Sequence, residues 1–301
     1  MDLRHQQVAA NGLDFHVASC GEGDRLALFL HGFPECWYSW RHQLPLLAEL
    51  GYRAWAPDLR GYGRSARPPR VEDYAVEALL DDIAGLIDAS GCASVTLIGH
   101  DWGAILAWYF AMRKLRPIDR LVIMNVPHPA IFGRVMRSWK QLRRSWYAAF
   151  FQIPRLPEAL MRAGDYRAIR QAFVQSAANP SRFSSDDLQV YRDSAAQPGA
   201  LTAMLNYYRA MVRGGGGERQ RRLGFPRIDV PTLMIWGLAD VALCVEATHG
   251  TEEYVSDLTL RYLPGISHWV QQDAPEVVNA MLSAWLRGET VPEADQLGES
   301  A

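Results

Sequence analysis

A short motif in the first half of the sequence places an acidic side chain between two glycines. The motif is Gly99-His100-Asp101-Trp102-Gly103, and it stands between an apolar run and a helical pattern. This is the strand–turn–helix setting of the G-x-S-x-G nucleophile elbow, in which the middle side chain is exposed above a sheet. An aspartate there is ionised at neutral pH and can attack an sp3 carbon directly, giving an ester that water hydrolyses. The alternative is that Asp101 only caps the following helix.

Two later residues are candidates for a base and for the acid that orients it. Asp240 follows an apolar run that ends at Trp236, and His268 follows another apolar run. The order nucleophile, acid, histidine is the order known for this type of elbow. We therefore predict that His268 activates water and that Asp240 orients its imidazole. A turn aspartate and a backbone-bonded loop histidine are the alternatives.

Asn125 occupies the other usual position for the orienting acid. It follows the apolar run that ends at Met124. An amide carries no charge, so the orienting role is assigned to Asp240 instead.

The first apolar run ends in His31-Gly32-Phe33-Pro34. A loop after an early strand supplies one backbone donor for an oxyanion in this arrangement, and the residue after the nucleophile supplies the other. We predict the N–H groups of Phe33 and Trp102 in these roles. Pro34 stiffens the turn and is a candidate for a cis peptide bond. An ordinary tight turn is the alternative.

Short apolar runs alternate with helical patterns between residues 26 and 124. Predicted strands are Leu26–Leu30, Tyr52–Ala56, Val95–Ile98 and Leu121–Met124, and predicted helices are Trp37–Leu50, Tyr74–Ser90 and Trp102 to about Lys114. Such alternation is typical of an α/β protein with a mostly parallel sheet flanked by helices. Asp73 is predicted to cap the second helix and Gly91 to end it.

The pattern changes for about one hundred residues and then returns. Residues 129–227 are helical, aromatic and arginine-rich, without a convincing strand, and strands resume at Pro231–Trp236 and Leu258–Leu263 before a helix at Pro275–Arg287. We predict a core domain in two parts, 1–128 and 228–287, an inserted helical cap at 129–227 and a flexible tail at 288–301. The cleft between cap and core is the expected ligand site.

Composition excludes several classes of function. The chain has 31 basic and 33 acidic residues, so nucleic-acid binding has no electrostatic support. Four scattered cysteines give neither metal-ligand spacing nor a disulfide framework. No run reaches the roughly 18 apolar residues of a membrane span, and the N-terminus lacks an apolar signal core. We expect a soluble cytoplasmic protein, monomeric or homodimeric, with no metal, cofactor or membrane partner.

Five longer strings carry a family resemblance that covers residues 5 to about 286. They are HGFPECWYSWRHQLPLL (31–47), PDLRGYGRSARP (57–68), GHDWGAILAW (99–108), LNYYRAM (205–211) and GISHWVQQDAPEVVN (265–279). With them the chain resembles the soluble epoxide hydrolases of the α/β-hydrolase fold. The resemblance implies that two cap tyrosines bind the epoxide oxygen and protonate it. Tyr147 and Tyr208 match them, although Tyr207 leaves the second assignment open by one residue.

The resemblance implies conversion of a small apolar epoxide and water into a vicinal diol, through an ester on Asp101. Phe33, Trp102, Tyr147 and Tyr208 are then also the substrate-binding residues. A haloalkane or haloacid dehalogenase with the same Asp-His-Asp scheme is the alternative, although a leaving halide needs N–H donors and no acid. Paired tyrosines therefore favour the epoxide. A non-catalytic binding protein is a further alternative, because fold alone does not establish activity.

Overall fold

An eight-stranded sheet forms the centre of the computed structural model, which describes residues 2–297. The strands are β1 (Arg4–Ala10), β2 (Leu13–Cys20), β3 (Arg25–Leu30), β4 (Tyr52–Pro57), β5 (Ser94–His100), β6 (Arg120–Met124), β7 (Thr232–Gly237) and β8 (Leu258–Leu263). Their order in the sheet is β1-β2-β4-β3-β5-β6-β7-β8. Only β2 pairs antiparallel to its neighbours β1 and β4. The prediction of a mostly parallel sheet is confirmed.

Helices surround the sheet and also form the inserted segment. In the part of the chain that the structure describes they are α1 (Gln43–Glu49), α2 (Val76–Ser90), α3 (Trp102–Arg113), α4 (Pro129–Val135), α5 (Trp139–Arg144), α6 (Trp146–Phe150), α7 (Leu156–Val174), α8 (Ser185–Ala196), α9 (Ala200–Val212), α10 (Gly216–Arg222), α11 (Val270–Asp273) and α12 (Pro275–Arg287). Non-helical residues interrupt α7 at Ala163–Tyr166. Helices α4 to α10 occupy the segment predicted as a cap.

The sheet is buried on both faces, and alternate side chains of each strand enter different clusters. In β3, Leu26, Leu28 and Leu30 pack with α2 and α3, whereas Ala27 and Phe29 pack with α1 and α12. This two-residue period explains why the parallel strands are continuous apolar runs rather than alternating ones. The cluster on the α2 and α3 side continues into α9 of the cap. The cap therefore shares one of the two cores of the sheet.

The N-terminal hairpin of β1 and β2 was not predicted from the apolar runs. Asn11 and Gly12 join the strands with positive φ values of 47° and 71°, as a two-residue hairpin turn requires. Most of β1 is exposed at the sheet edge. An edge strand without a buried face produces no apolar run. Strand β2 is largely buried, but polar residues such as Asp14 and His16 interrupt its apolar positions, so it also gives no continuous run.

Two helix predictions in the first half differ from the structure. Instead of one helix over residues 37–50, a short 3-10 helix (Trp37–Trp40) precedes α1. Pro45 explains the break, because proline fits the first turn of α1 but not the interior of a longer helix. Asp73 does not cap α2, which begins after Ala75; its carboxylate accepts from the Arg70 amide instead. Gly91 ends α2 as predicted, with φ of 66°.

Residues 289–297 pack against the second part of the core, although the sequence predicts a flexible tail from residue 288. Arg261 of β8 donates to the Val291 carbonyl at 2.7 Å, and the Val291 side chain is only 5% exposed. These contacts hold the segment, so the tail prediction does not apply to it. Residues 298–301 of that prediction lie outside the described residues. None of the helices within residues 2–297 has the length and apolarity that crossing a bilayer requires.

Candidate active site

Asp101 stands on a sharp turn between β5 and α3. Its backbone has φ of 48° and ψ of −121°, a conformation that costs a non-glycine residue about 1–3 kcal/mol. Neighbouring glycines make the turn possible: a Cβ on Gly32 would lie 2.3 Å from the Asp101 Cβ, and one on Gly103 would lie 2.0 Å from the Leu30 oxygen. Although Asp101 precedes α3, its carboxylate makes no capping hydrogen bond. The carboxylate is therefore available to a substrate.

The loop after β3 supplies a backbone donor to this carboxylate. The Phe33 N–H donates to Asp101 Oδ1 at 2.7 Å. The Phe33–Pro34 peptide bond is cis, as anticipated for Pro34. Trp102 is the first residue of α3, where an amide N–H has no acceptor within the helix. Both predicted donors thus border the nucleophile, one bonded to it and one at the helix start.

His268 and Asp240 lie beside Asp101, as their positions after neighbouring strands predict. His268 Nε2 is 3.6 Å from Asp101 Oδ2, and His268 Nδ1 is 2.7 Å from Asp240 Oδ2. The other Asp240 oxygen accepts from the backbone amides of Ala242 and Leu243 at 2.7 and 2.9 Å. One nitrogen of the imidazole is therefore fixed by the acid while the other faces the nucleophile.

Burial and charge act in opposite directions on these three groups. Burial alone would raise the pKa of Asp101, but the adjacent His268 and the Phe33 amide outweigh it and lower that pKa. Burial likewise opposes ionisation of Asp240, and the charge and hydrogen bond of His268 again lower its pKa. For His268 burial lowers the pKa, yet Asp240 and Asp101 together raise it well above its ordinary value. The site thus holds two carboxylates around one basic imidazole.

A fully buried pair, Glu35 and His100, links the segments that carry these groups. Glu35 Oε2 accepts from the Gly32 amide at 2.7 Å and from His100 Nδ1 at 2.8 Å. His100 Nε2 donates to the His268 carbonyl at 2.8 Å. These contacts give His100 a structural role in the site. Glu35 was not singled out, because nothing in its local sequence indicates a partner 65 positions away.

Asn125 is a second residue whose role becomes clear only in three dimensions. Its Nδ2 donates to Asp240 Oδ2 at 2.7 Å, and its Oδ1 accepts from the Gly237 amide at 2.8 Å. Because β6 pairs with β7, the residue after β6 lies next to the loop that carries Asp240. The orienting acid thus follows β7 rather than β6. Asn125, at the end of β6, supports that acid by donating a hydrogen bond to Asp240.

Tyr147 and Tyr208 approach the same site from the cap. Their ring centroids are 6.0 Å apart, and the Tyr208 ring lies 5.5 Å from Phe33 and 5.0 Å from Trp102. Burial, followed by the charge of Asp101, raises the pKa of both phenols. The neighbouring Tyr207 is directed elsewhere, since its hydroxyl donates to the Arg60 carbonyl at 2.8 Å. The geometry therefore favours Tyr208 over Tyr207 as the second tyrosine of the site.

Three cap side chains hold the tyrosine helices in place. Gln152 Nε2 donates to the Tyr208 carbonyl at 3.2 Å, and Arg209 Nε donates to the Phe151 carbonyl at 3.0 Å, so α6 and α9 are joined. Arg144 donates to the Asp240 and Leu243 carbonyls at 2.9 and 2.7 Å. The cap is thus bonded directly to the loop of the orienting acid.

The sequence pattern of the α/β hydrolase fold family matches residues 28–271. The protein is 38% identical over 290 residues to the AB hydrolase superfamily protein YfhM of Bacillus subtilis, covering 95% of this chain and 99% of that protein. It is 39% identical to epoxide hydrolase 4 of mouse, covering 94% of this chain and 79% of that protein. A crystal structure of an epoxide hydrolase variant from Bacillus megaterium superimposes with a TM-score of 0.85, at 33% identity, over 94% of this chain and 100% of that chain.

The fold class is therefore that of the α/β hydrolases, as the sequence predicted. Within that class, the chain belongs to the epoxide hydrolase family. The resemblance drawn from the five sequence strings is confirmed, and membership of this family makes the protein a hydrolase.

Proposed function

We propose that this protein converts an epoxide and water into a vicinal diol through a covalent ester on Asp101. The observation that carries the proposal is the Asp101 carboxylate, which is free of any capping bond. The His268–Asp240 pair lies beside it, and the Tyr208 ring packs on Phe33 and Trp102, which border Asp101, with Tyr147 next to Tyr208. A nucleophile, a base and an acid thus meet at one point, and the arrangement needs no further reactive group.

In the first step, the Asp101 Oδ2 oxygen attacks one ring carbon of the epoxide. A C–O bond forms to the aspartate while the ring C–O bond breaks, and the ring oxygen leaves with the electron pair. Because an alkoxide is strongly basic, it takes a proton from Tyr147 or Tyr208. The raised pKa values keep both phenols protonated at neutral pH, so they are available as donors.

In the second step, water hydrolyses the ester. His268 removes a proton from water, and the hydroxide adds to the Asp101 carbonyl carbon. The Phe33 and Trp102 N–H groups stabilise the oxyanion. As it collapses, the ester C–O bond to the substrate breaks and the leaving oxygen takes the proton of the added hydroxyl, which gives carboxylate and diol. The proton on His268 then returns to the phenolate of Tyr147 or Tyr208, which restores the enzyme. Esterification removes the charge of Asp101, one of the two that raise the pKa of His268. The imidazole therefore becomes less basic when the ester forms, which favours the neutral form that activates water.

The aromatic surroundings of Asp101 support a small apolar epoxide as the substrate. Phe33 and Trp102, which border Asp101, pack edge to face with Phe151 and Tyr208 of the cap. A haloalkane would also fit such walls, but a departing halide has no use for two proton donors. The paired phenols therefore favour the epoxide over the dehalogenase reaction.

The proposal is tested by a single turnover of styrene oxide in oxygen-18 water, with enzyme in excess. Attack by Asp101 puts the label into the Asp101 carboxylate and leaves the diol unlabelled, because the ester carbonyl receives the water oxygen. Direct attack by water puts the label into the diol and refutes the covalent route. If the protein forms no diol from styrene oxide or other apolar epoxides but releases halide from haloalkanes, it is a dehalogenase.

His268→Gln separates the two steps. We expect this variant to open the epoxide and to accumulate an ester, seen as a peptide around Asp101 that is heavier by the substrate mass. The matched control is Asp101→Ala, which has no carboxylate to label. An ester that does not accumulate in the glutamine variant contradicts the role given to His268.

A further inference from the structure

The outer surface of the cap carries a strip of exposed apolar side chains. Six of the twelve large apolar side chains that are exposed within residues 2–297 fall between positions 139 and 160. They are Trp139, Leu142, Trp146, Ile153, Leu156 and Leu160. Trp139 and Trp146 are 75% and 63% exposed, which is unusual for the largest side chain. We call this set the cap strip.

The cap strip is continuous along the chain. Trp139, Leu142 and Trp146 follow a three- and four-residue spacing across α5 and α6, which a single residue separates. The Trp146 and Phe150 rings are 5.9 Å apart, and the Ile153 amide donates to the Phe150 carbonyl. Leu156 and Leu160 are one turn apart at the start of α7. The exposed apolar positions therefore follow one another without a long gap from α5 to the start of α7.

Strong positive charge accompanies the strip. Residues 134–170 contain nine arginines and lysines but only two acidic residues. The whole chain has 31 basic and 33 acidic residues, so the rest of the chain has 22 basic and 31 acidic residues. Arginines from outside the segment neutralise both of its acids, Arg209 at Glu158 and Arg192 at Asp165. Two of the nine cations, Arg134 and Lys140, pair with Glu253 and Glu246 outside the segment, and seven remain without an acidic partner among residues 2–297. A chain with a net charge of −2 thus has a locally basic cap.

Several of these cations are free to bind a partner. Arg143, Arg155 and Arg162 are exposed, and none of them has a salt bridge or side-chain hydrogen bond with any other of residues 2–297. Arg155, Arg162 and Arg213 border an open groove of about 620 Å³ at the Leu156 end of the strip. Aliphatic and indole side chains flanked by unpaired guanidinium groups are the composition of a surface that binds anionic bilayers.

We propose that the cap strip and its arginines dock the protein onto a membrane rich in anionic phospholipid. A second copy of this chain is a poor occupant, because a twofold contact would place the unpaired arginines against one another. An anionic lipid surface satisfies both parts of the patch, since it accepts tryptophan and leucine between its acyl chains and arginine at its phosphates. The negative charge of the remaining chain orients the molecule cap-first.

Docking also has a consequence for the reaction, and this part rests on the proposed function. Helix α6 carries Trp146 and Phe150 on its outer side, and Tyr147 lies on the adjoining side, about 100° around the helix. The substrate-binding tyrosine is therefore within about one helix diameter, roughly 10 Å, of the docked surface. Apolar epoxides concentrate in bilayers, so docking places Tyr147 close to the phase in which such substrates are most abundant.

The test is cosedimentation of the purified full-length protein with vesicles, which needs no turnover. We expect binding to phosphatidylglycerol–phosphatidylethanolamine vesicles at low salt and little binding to phosphatidylcholine or at high salt. Arg143→Gln, Arg155→Gln and Arg162→Gln together should weaken binding about 100-fold, at about fivefold for each arginine. Trp139→Ser with Trp146→Ser should weaken it about tenfold or more.

Leu3→Ser with Arg227→Gln is the matched control, because both positions are exposed outside the patch. This variant should bind like the unmodified protein, and all variants should keep its thermal unfolding temperature. No binding to anionic vesicles, or equal losses in the control, overturns the proposal. So does a dimer in sedimentation velocity that the tryptophan variant converts to monomer, or binding of single-stranded DNA in preference to vesicles.

Discussion

The core and the cap hold their parts of the active site by different means. In the core, Asp240 receives two side-chain donors and two backbone amides, and Glu35 accepts from His100, Gly32 and two glutamines. In the cap, the ring of Tyr208 is held mainly by the rings of Phe33, Trp102 and Phe151, 5.0 to 5.5 Å away. One half of the site is a polar network and the other is an aromatic wall.

The difference follows from what each half must do. Charged groups act only at fixed distances, and a network in which each donor has an acceptor leaves them little freedom. Aromatic contacts are less directional, so the wall can accommodate epoxides of different shape while it keeps the phenols near the carboxylate. The comparison predicts that substitutions in the core slow ester hydrolysis, or slow both ring opening and ester hydrolysis. Substitutions of the cap tyrosines should slow ring opening alone.

The largest expected effect is that of Asp101→Ala. Removing the nucleophile should reduce kcat about 10,000-fold or more, by analogy with nucleophile removal in other triads. Steady-state diol formation measures the loss, and an unchanged thermal unfolding temperature serves as the control for folding. Residual activity near the native level would mean that water attacks the epoxide directly.

Tyr147→Phe and Tyr208→Phe should each slow ring opening about 100-fold, because each removes a proton donor. The rate of ester hydrolysis, measured separately by rapid quench, should not change. Tyr207→Phe is the matched control: it removes the bond to the Arg60 carbonyl and about 1 kcal/mol of stability, but no active-site donor. If Tyr207→Phe slows ring opening and Tyr208→Phe does not, the assignment is reversed.

Asn125→Ala and Gln152→Ala compare the two regions by stability. Asn125→Ala leaves the buried Gly237 amide without an acceptor and should lower the free energy of unfolding by about 1–3 kcal/mol. Gln152 joins α6 and α9 by weaker bonds at 3.0 and 3.2 Å, so Gln152→Ala should cost about 1 kcal/mol or less. Urea unfolding measures both values, and the opposite ranking would contradict the contrast between core and cap.

The smallest effect is a pH shift. The charges of Asp240 and Asp101 raise the pKa of His268 in the free enzyme, and the ester removes the charge of Asp101. A base works only above its pKa, and the pKa of His268 should be lower in the ester than in the free enzyme. As the pH falls, ester hydrolysis should therefore lose its rate at a lower pH than the pH at which His268 titrates in the free enzyme. Rapid-quench rates against pH, compared with an NMR titration of His268, test this. Coincident midpoints would show that Asp101 does not tune the imidazole.

Local sequence was enough to predict that Asp101, Asp240, His268 and Phe33 lie close together. Each follows an apolar run, and in a parallel sheet such positions meet at the carboxyl edge of the strands. The bounds of β8 and α12 were also predicted to the residue, because their apolar periods are strong and their ends are marked. The edge strand β1 was missed since it has almost no buried face to produce a pattern.

Tertiary structure decided what depends on packing between distant segments. Tyr207 and Tyr208 are adjacent on one helix, and only the contacts of their hydroxyls and rings show which one faces Asp101. Glu35 and Asn125 acquire their roles from partners 65 and 115 positions away. The arginine-rich composition of the cap can be read from the sequence, but the exposure of its tryptophans and leucines is decided by the fold. Sequence records residue types in order, whereas burial and charge density depend on which of them the fold brings together.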